Sequence, residues 1–423
     1  MKLLIDAHCH VMTLARPAIG PFVDSLLNRG LETLYTQVAA PGYLLRTLLR
    51  HGGEELRNLL SVVENDAAGT FMLMEDDLSG LFSGPPSGHR QHGESRPRRA
   101  GLMDARGVDF LGERWDGWLA CPLIMDFSRP PGAPAPVYYA RFPRKTLEES
   151  VREMLAGVAA YRRERPEGRL VVRPFLGLDP ALRGAAGVEE ILHRYFRRWK
   201  RDRDAQLAAF RSSTRWKGDP ARPPRLAFAG IKLYPPLGFD PWPDEPAERD
   251  AVRELYSFCE RHGVPLTVHC DDQGYRTVPL ELALRNTDPA RWAAPLSGHP
   301  GLLVDFAHFG ERWLPAPRGE AQDGWTRTIA GYMERYEGVY ADLSFNGSDP
   351  AYWPKLERFL DSLSLPARST ARRRLMFGTD FFISLTRSRS YLDYVRDFGE
   401  SALDRGFKRA LVHENPSRFL FGE

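Results

Sequence analysis

The first ten residues contain a pattern that could do chemistry. An apolar start, Leu3-Leu4-Ile5, runs into Asp6-Ala7-His8-Cys9-His10. On a strand, side chains alternate between faces, so His8 and His10 point one way and Cys9 the other. Two imidazoles on one face at a strand end make half of a metal site. Alone, the same spacing also fits a solvated edge, so the rest of the chain has to decide. Four further residues of ligating or basic type close apolar runs: Lys232 in Ala227–Tyr234, His269 in Val264–Cys270, His308 in Leu302–His308 and Asp380 in Arg374–Asp380. Each has a bland reading singly, as a core histidine or a helix N-cap. Together they place one set of chemical groups at the same end of several strands.

Those runs belong to a longer alternation. Trp118–Asp126 reads as a second strand. Leu170–Asp179 reads as a third, with Pro174 marking a bulge because proline cannot donate to a ladder. Val339–Ser344 reads as the seventh. Between them come helical patterns. Thr146-Leu147-Glu148-Glu149 fits a capping box, followed by Leu147, Val151, Met154, Leu155 and Val158 on one face. The stretch Glu248–His262 carries Val252, Leu255, Phe258 and Cys259 inward and stops at Gly263. Ile329–Tyr336 and Tyr352–Leu360 fit further helices. Eight strands separated by helical stretches predict an α/β fold, a (β/α)8 TIM barrel whose site lies at the carboxyl ends of its strands. Residues 1–423 read as one such barrel with long insertions after strands 1, 2 and 3. The insertion 11–115 is helical near Leu44, Leu45, Leu48 and Leu49, stops at Gly52-Gly53, and is periodic again over Leu56–Met74. Residues 79–107 read as an exposed loop holding His89 and His92, and Pro130–Pro136 as a second loop. The insertion 180–225 is helical and basic.

Composition narrows the class. The chain has 423 residues, is 43% hydrophobic and carries a net charge of +3, so it can build a large core and is no polycation. No apolar run has the length of a membrane span, and the start lacks the apolar region of a secretory signal. Cys9, Cys121, Cys259 and Cys270 form no Cys-x-x-Cys pair, which suits buried, reduced thiols and a cytoplasmic setting. Residues 191–225 are the exception, with eleven Lys or Arg against three Asp. The interleaved Tyr195, Phe196, Trp199, Phe210 and Trp216 allow a nucleic-acid interface, but they fit an apolar helical stripe under a solvated basic face better.

The motifs Asp6-Ala7-His8-Cys9-His10, Gly230-Ile231-Lys232-Leu233-Tyr234-Pro235, Thr267-Val268-His269-Cys270, Phe306-Ala307-His308-Phe309-Gly310 and Phe377-Gly378-Thr379-Asp380 resemble the amidohydrolase superfamily, in its amidohydrolase-related branch. The ending His413-Glu414-Asn415-Pro416 is similar too. The resemblance implies a metal held by His8, His10, His269 and Asp380. Zinc suits mixed imidazole and carboxylate ligation, with Mn2+, Fe2+ or Ni2+ as alternatives. It also implies that Asp380 orients a metal-activated water and takes its proton, while His308 polarises the substrate oxygen or joins Lys232 on a second metal. Lys232 is either carboxylated between two ions or a cation facing substrate, and one metal with a free Lys232 is preferred. The expected activity is hydrolysis of a small-molecule amide, lactone or ester. The alternatives are a decarboxylase or hydratase of a small carboxylic acid, a nucleic-acid-binding protein acting through 191–225, and a scaffold with a dead site, which is disfavoured because no site position is missing. A homo-oligomer stays open. Tyr234, Arg173, Asp271, Asp272, Arg276, Trp313 and Asn346 are candidates to line the pocket.

Overall fold

The computed structural model describes residues 1–11, 62, 65–81, 100–128 and 145–423. The expected helix around Leu44–Leu49, its stop at Gly52-Gly53, the histidines His89 and His92 and the loop Pro130–Pro136 lie outside the described residues. The strands are β1 (Leu3–Cys9), β2 (Met103–Asp104), β3 (Gly107–Phe110), β4 (Glu113–Trp115), β5 (Gly117–Pro122), β6 (Leu170–Val172), β7 (Phe175–Gly177), β8 (Gly230–Leu233), β9 (Leu266–Val268), β10 (Val304–Phe306), β11 (Val339–Asp342) and β12 (Leu375–Met376).

Pairing closes a parallel ring. β5 lies between β1 and β6, and β7 through β12 pair each with the next. The two arcs join at both ends, by a parallel bridge from Leu123 to Phe175 and another from Cys9 to Phe381. The Ala7 amide donates to Phe377 O at 3.0 Å, sewing the last strand to the first. β6 and β7 are one stave, broken at Arg173-Pro174 where the sequence predicts only a bulge, so the barrel has eight staves. Every residue of these staves is buried, because helices cover the outside and side chains fill the inside.

Local signals explain the helices. Thr146 and Glu149 form the predicted capping box on helix Leu147–Glu164. Gly263 adopts the left-handed conformation that ends helix Pro246–His262. All four cysteines are free and buried. No described helix is long and apolar enough to cross a membrane.

One expectation changes. The loop reading of 79–107 gives way from Met103 onward to an antiparallel sheet, β2–β3–β4. Its β3–β4 hairpin turns on Leu111 (φ 54°) and Gly112 (φ 67°), both left-handed, which matches the twist of the flanking strands. Leucine rarely takes that conformation, which hid the turn. In the basic segment, helices Gly184–Phe196 and Arg203–Arg211 bury Tyr195, Phe196 and Phe210, Trp199 is buried between them, and Trp216 packs against the core. Those rings form the apolar face that the helical stripe predicts, with Trp216 half-buried at its edge.

Candidate functional site

At the carboxyl ends of the staves, β1 is anchored by Asp6. Its carboxylate accepts from the Thr379 amide (2.9 Å) and hydroxyl (2.6 Å) and from the Tyr391 hydroxyl (2.7 Å), which in turn accepts from Trp118 Nε1 (2.8 Å). This clip fixes β1 against the segment that follows β12, and so fixes His8 and His10 against Asp380. Gly378 allows the approach, since a Cβ there would lie 2.8 Å from His8 Cβ and 2.9 Å from Ser344 Cβ. His308 (φ 62°), Phe345 (φ 65°) and Asp380 (φ 55°) each follow a stave in the left-handed region. Such strain costs on the order of 1–3 kcal/mol per residue and persists only where surrounding contacts enforce it.

The imidazoles are held in defined tautomers. His8 Nδ1 donates to Asp342 Oδ2 (2.7 Å) and His10 Nδ1 to Leu123 O (3.1 Å). In the neutral rings this leaves Nε2 of each as the ligating atom. These two atoms lie 3.3 Å apart, and Asp380 Oδ1 is 3.5 Å from His8 Nε2 and 3.3 Å from His10 Nε2. With both rings neutral these three atoms are all acceptors, an arrangement that a cation among them would stabilise. Tetrahedral ligands each about 2.0–2.1 Å from zinc would be roughly 3.3–3.4 Å apart, so this triangle fits a metal of that size.

The remaining groups form a second cluster. His308 Nδ1 donates to Ser344 O (3.0 Å), and its Nε2 faces His269 Nδ1 at 3.3 Å. His269 Nε2 is 2.9 Å from Asp271 Oδ1, and the ring packs on Tyr234 with centroids 4.7 Å apart. The four expected ligands are thus divided: His8, His10 and Asp380 converge, while His269 groups with His308 and Asp271. The physical reason is Asp271, two residues on and on the same face, which draws His269 Nε2 to itself.

Lys232 is 1% exposed, and its amine has no hydrogen-bond partner among the described residues. Burial lowers its pKa to about 8, against the pull of Asp342, Asp305, Asp380 and Asp271. Burial also lowers His8 to about 3, so it is neutral, as a ligand must be. Burial works against ionisation at Asp380, but His10, His8 and His308 outweigh it and hold the carboxyl below its usual range. Burial would lower His308 as well, yet Asp271, Asp380 and Asp342 together raise it.

Asp342 was missed as a site residue. It is fully buried, and its Oδ1 accepts from the amides of His308 (3.2 Å) and Ser344 (3.0 Å) and from the Ser344 hydroxyl, while Oδ2 holds His8. The signal was available: a carboxylate closing an apolar strand, as with Asp380. Among the expected pocket residues, Asp272 accepts from the Trp313 (2.9 Å) and Leu314 (2.7 Å) amides and so ties the loops after β9 and β10 together. Asn346 Nδ2 donates to His308 O (2.9 Å), and Arg276 is half-buried in the loop after β9. Arg173 does not belong to this group. The strand breaks beside it, and its side chain turns to Gln206 and Leu226 in the basic insertion.

An amidohydrolase family model matches residues 5–422. Among curated proteins, none matches the sequence. Solved structures with a similar chain path include an uncharacterised TIM-barrel protein from Bordetella bronchiseptica, 15% identical, covering 72% of this chain and 77% of that one with a TM-score of 0.40. Another is a probable 2-pyrone-4,6-dicarboxylic acid hydrolase from Acinetobacter baumannii, 12% identical, covering 73% and 84% with a TM-score of 0.38. At these identities and scores the likeness extends to neither substrate nor reaction.

Proposed function

Because the chain belongs to the amidohydrolase family, we propose that this enzyme is a metal-dependent hydrolase that directs an activated water at a small-molecule amide, lactone or ester. The observation that carries the reading is the convergence of His8 Nε2, His10 Nε2 and Asp380 Oδ1, three atoms of ligating type 3.3–3.5 Å apart. Zinc suits this donor set, and manganese, iron or nickel are compatible with it. Bound there, a divalent metal supplies Lewis acidity and a water whose pKa falls towards neutrality.

The protein's own groups do the rest. Asp380 uses its second carboxylate oxygen to accept the proton of the attacking water, then returns it to the leaving group. His308, with its raised pKa, donates a hydrogen bond to the substrate oxygen on which negative charge develops. The Lys232 ammonium attracts and orients that charge. Charge counting supports a cation without fixing the number. Ionised Asp271, Asp342 and Asp380 against protonated Lys232 leave two negative charges with His308 neutral and one with it protonated, a deficit that one divalent ion covers. A carboxylated Lys232 would add two more, which calls for a second ion. We favour one ion and a free amine.

The test is metal analysis of the purified protein followed by a panel of amides, lactones and esters. One to two equivalents of a transition metal are expected, with less in His8→Ala and His10→Ala. Asp380→Asn should lower turnover at least ~100-fold. Full metal content in the His8/His10 double variant, or near-normal turnover in Asp380→Asn, refutes the assignment.

A further inference from the structure

The basic stretch 191–225 has no part in the site above. Eleven Lys or Arg against three Asp give it a charge of +8, so the rest of the chain carries −5 within a total of +3. The fold keeps that charge together at one end of the barrel. Tyr195, near the end of helix Gly184–Phe196, donates to Pro220 O (3.3 Å), and Trp199 Nε1 donates to Phe228 O (3.2 Å), two residues before β8. Arg201 Nε donates to Phe419 O (3.2 Å) and Arg203 Nη1 to Glu423 Oε2 (2.8 Å), while Arg211 Nη2 touches Sδ of Met1, which leads into β1. The segment therefore lies at the amino ends of the staves, opposite the end that carries His8, His10 and Asp380.

Few of its charges are spent inside the protein. Arg194, Arg203 and Arg222 each have a carboxylate within 4.0 Å. Arg197, Arg198, Lys200, Arg215, Lys217 and Arg225 are exposed and pair with no carboxylate among the described residues.

We propose that this amino-end face docks on the phosphate backbone of a double-stranded nucleic acid, without reading its sequence. Exposed cations with no counter-charge of their own fit a polyanion, and a duplex carries roughly one negative charge per 1.7 Å of helix axis. Two other polyanions match less well. A single strand is held by stacking successive bases on exposed rings, whereas Tyr195, Phe196, Trp199 and Phe210 are buried and only Trp216 is half-exposed. An acidic bilayer is held in part by apolar side chains that insert between headgroups. The exposed large hydrophobic residues among those described are Met1, Leu81 and Leu365, none within 191–225, and Met1 beside Arg211 is a lone side chain and no patch. In a duplex the bases already stack on one another, so a surface with charge and few rings suffices. The negative charge on the rest of the chain is repelled by the same phosphates. That turns the amino end towards the duplex and leaves the opposite end facing solution.

The test is fluorescence anisotropy of labelled duplexes of about 30 base pairs, one DNA and one RNA, titrated with the full chain from about 50 to 200 mM salt. Binding of either duplex supports the proposal, and the parallel titrations tell which helix geometry fits better. Six phosphate contacts give a slope of about −5 in log K against log salt, a loss of about 1,000-fold over that range. The double variants Arg197→Gln/Arg198→Gln and Arg215→Gln/Lys217→Gln should each reduce the slope by about 2, with unfolding midpoints close to wild type because the positions are exposed. Arg318→Gln, exposed on the loop after β10 at the other end of the barrel, should leave the slope unchanged. Single-stranded DNA, phosphatidylserine vesicles and polyglutamate should bind more weakly than duplex. No binding of either duplex at the lowest salt, an unchanged slope in both double variants, or tighter binding of the single strand, the vesicles or polyglutamate overturns the proposal.

Discussion

Asp342→Asn is the substitution that most sharply tests how the metal triangle is built. In the native arrangement, Oδ1 accepts from the His308 amide, the Ser344 amide and the Ser344 hydroxyl, and Oδ2 accepts from His8 Nδ1. The substituted amide can keep its oxygen in the Oδ1 place and retain all three donors. Its NH2 then stands in the Oδ2 place, 2.7 Å from a ring nitrogen that carries a proton. Two donors cannot share that contact. Either the bond is lost, or His8 switches tautomer and projects an N–H from Nε2 towards His10 and Asp380, where a lone pair is needed. One buried charge-assisted hydrogen bond is worth about 1.5–3 kcal/mol, or about 10- to 150-fold in an equilibrium constant. Loss of a carboxylate behind a ligating histidine is expected to fall in the same range. The assay is competition for metal against a chromophoric chelator, with the unfolding midpoint of the metal-free variant as the control for folding. A folded variant that binds metal within about threefold of wild type, well below the 10-fold floor, would refute the reasoning.

Two further predictions follow from the buried groups. Lys232→Ala should keep its metal and lose turnover or substrate affinity, with no rescue by bicarbonate; recovery in bicarbonate together with loss of a second equivalent of metal would show a carboxylated bridge. Asp179→Asn should stabilise the protein at pH 8 and leave it unchanged near pH 4. Burial, helped by Asp126, raises the native Asp179 pKa from 3.8 to about 7, so the native state holds a proton that the unfolded chain has released. Stability therefore falls as pH climbs from about 4 to 7 and stays low above. Three pKa units set an upper bound of about 4 kcal/mol. Urea unfolding at both pH values measures it, and an equal effect at pH 4 and pH 8 would sink the assignment.

The sequence showed the barrel because its staves are short apolar runs with a polar terminus, and that pattern needs no tertiary information. The same holds for the Thr146 capping box and the left-handed stop at Gly263, where one or two residues determine the local backbone. The β2–β4 sheet was illegible for the opposite reason. Its strands have two to four residues, too few for a period to register, and its turn puts a leucine where glycine or asparagine is expected. Arg173 looked like a strand-end residue because the proline was read as a bulge within a continuous strand. The break instead releases its side chain towards Gln206 and Leu226.

The site itself was legible to the level of the stave and no further. Alternation places His8, His10 and His269 at one face of the sheet, but it says nothing about how an imidazole turns about its own bonds. That rotation is decided by partners distant in sequence: Asp342 for His8, Leu123 for His10, Asp271 for His269. Ligand type can therefore be read from one strand, while ligand grouping depends on the contacts between strands. This is why His269 joined His308 and not the triangle. It also means that Asp271, by competing for His269 Nε2, would govern whether that histidine could serve as a fourth ligand to the metal proposed for His8, His10 and Asp380.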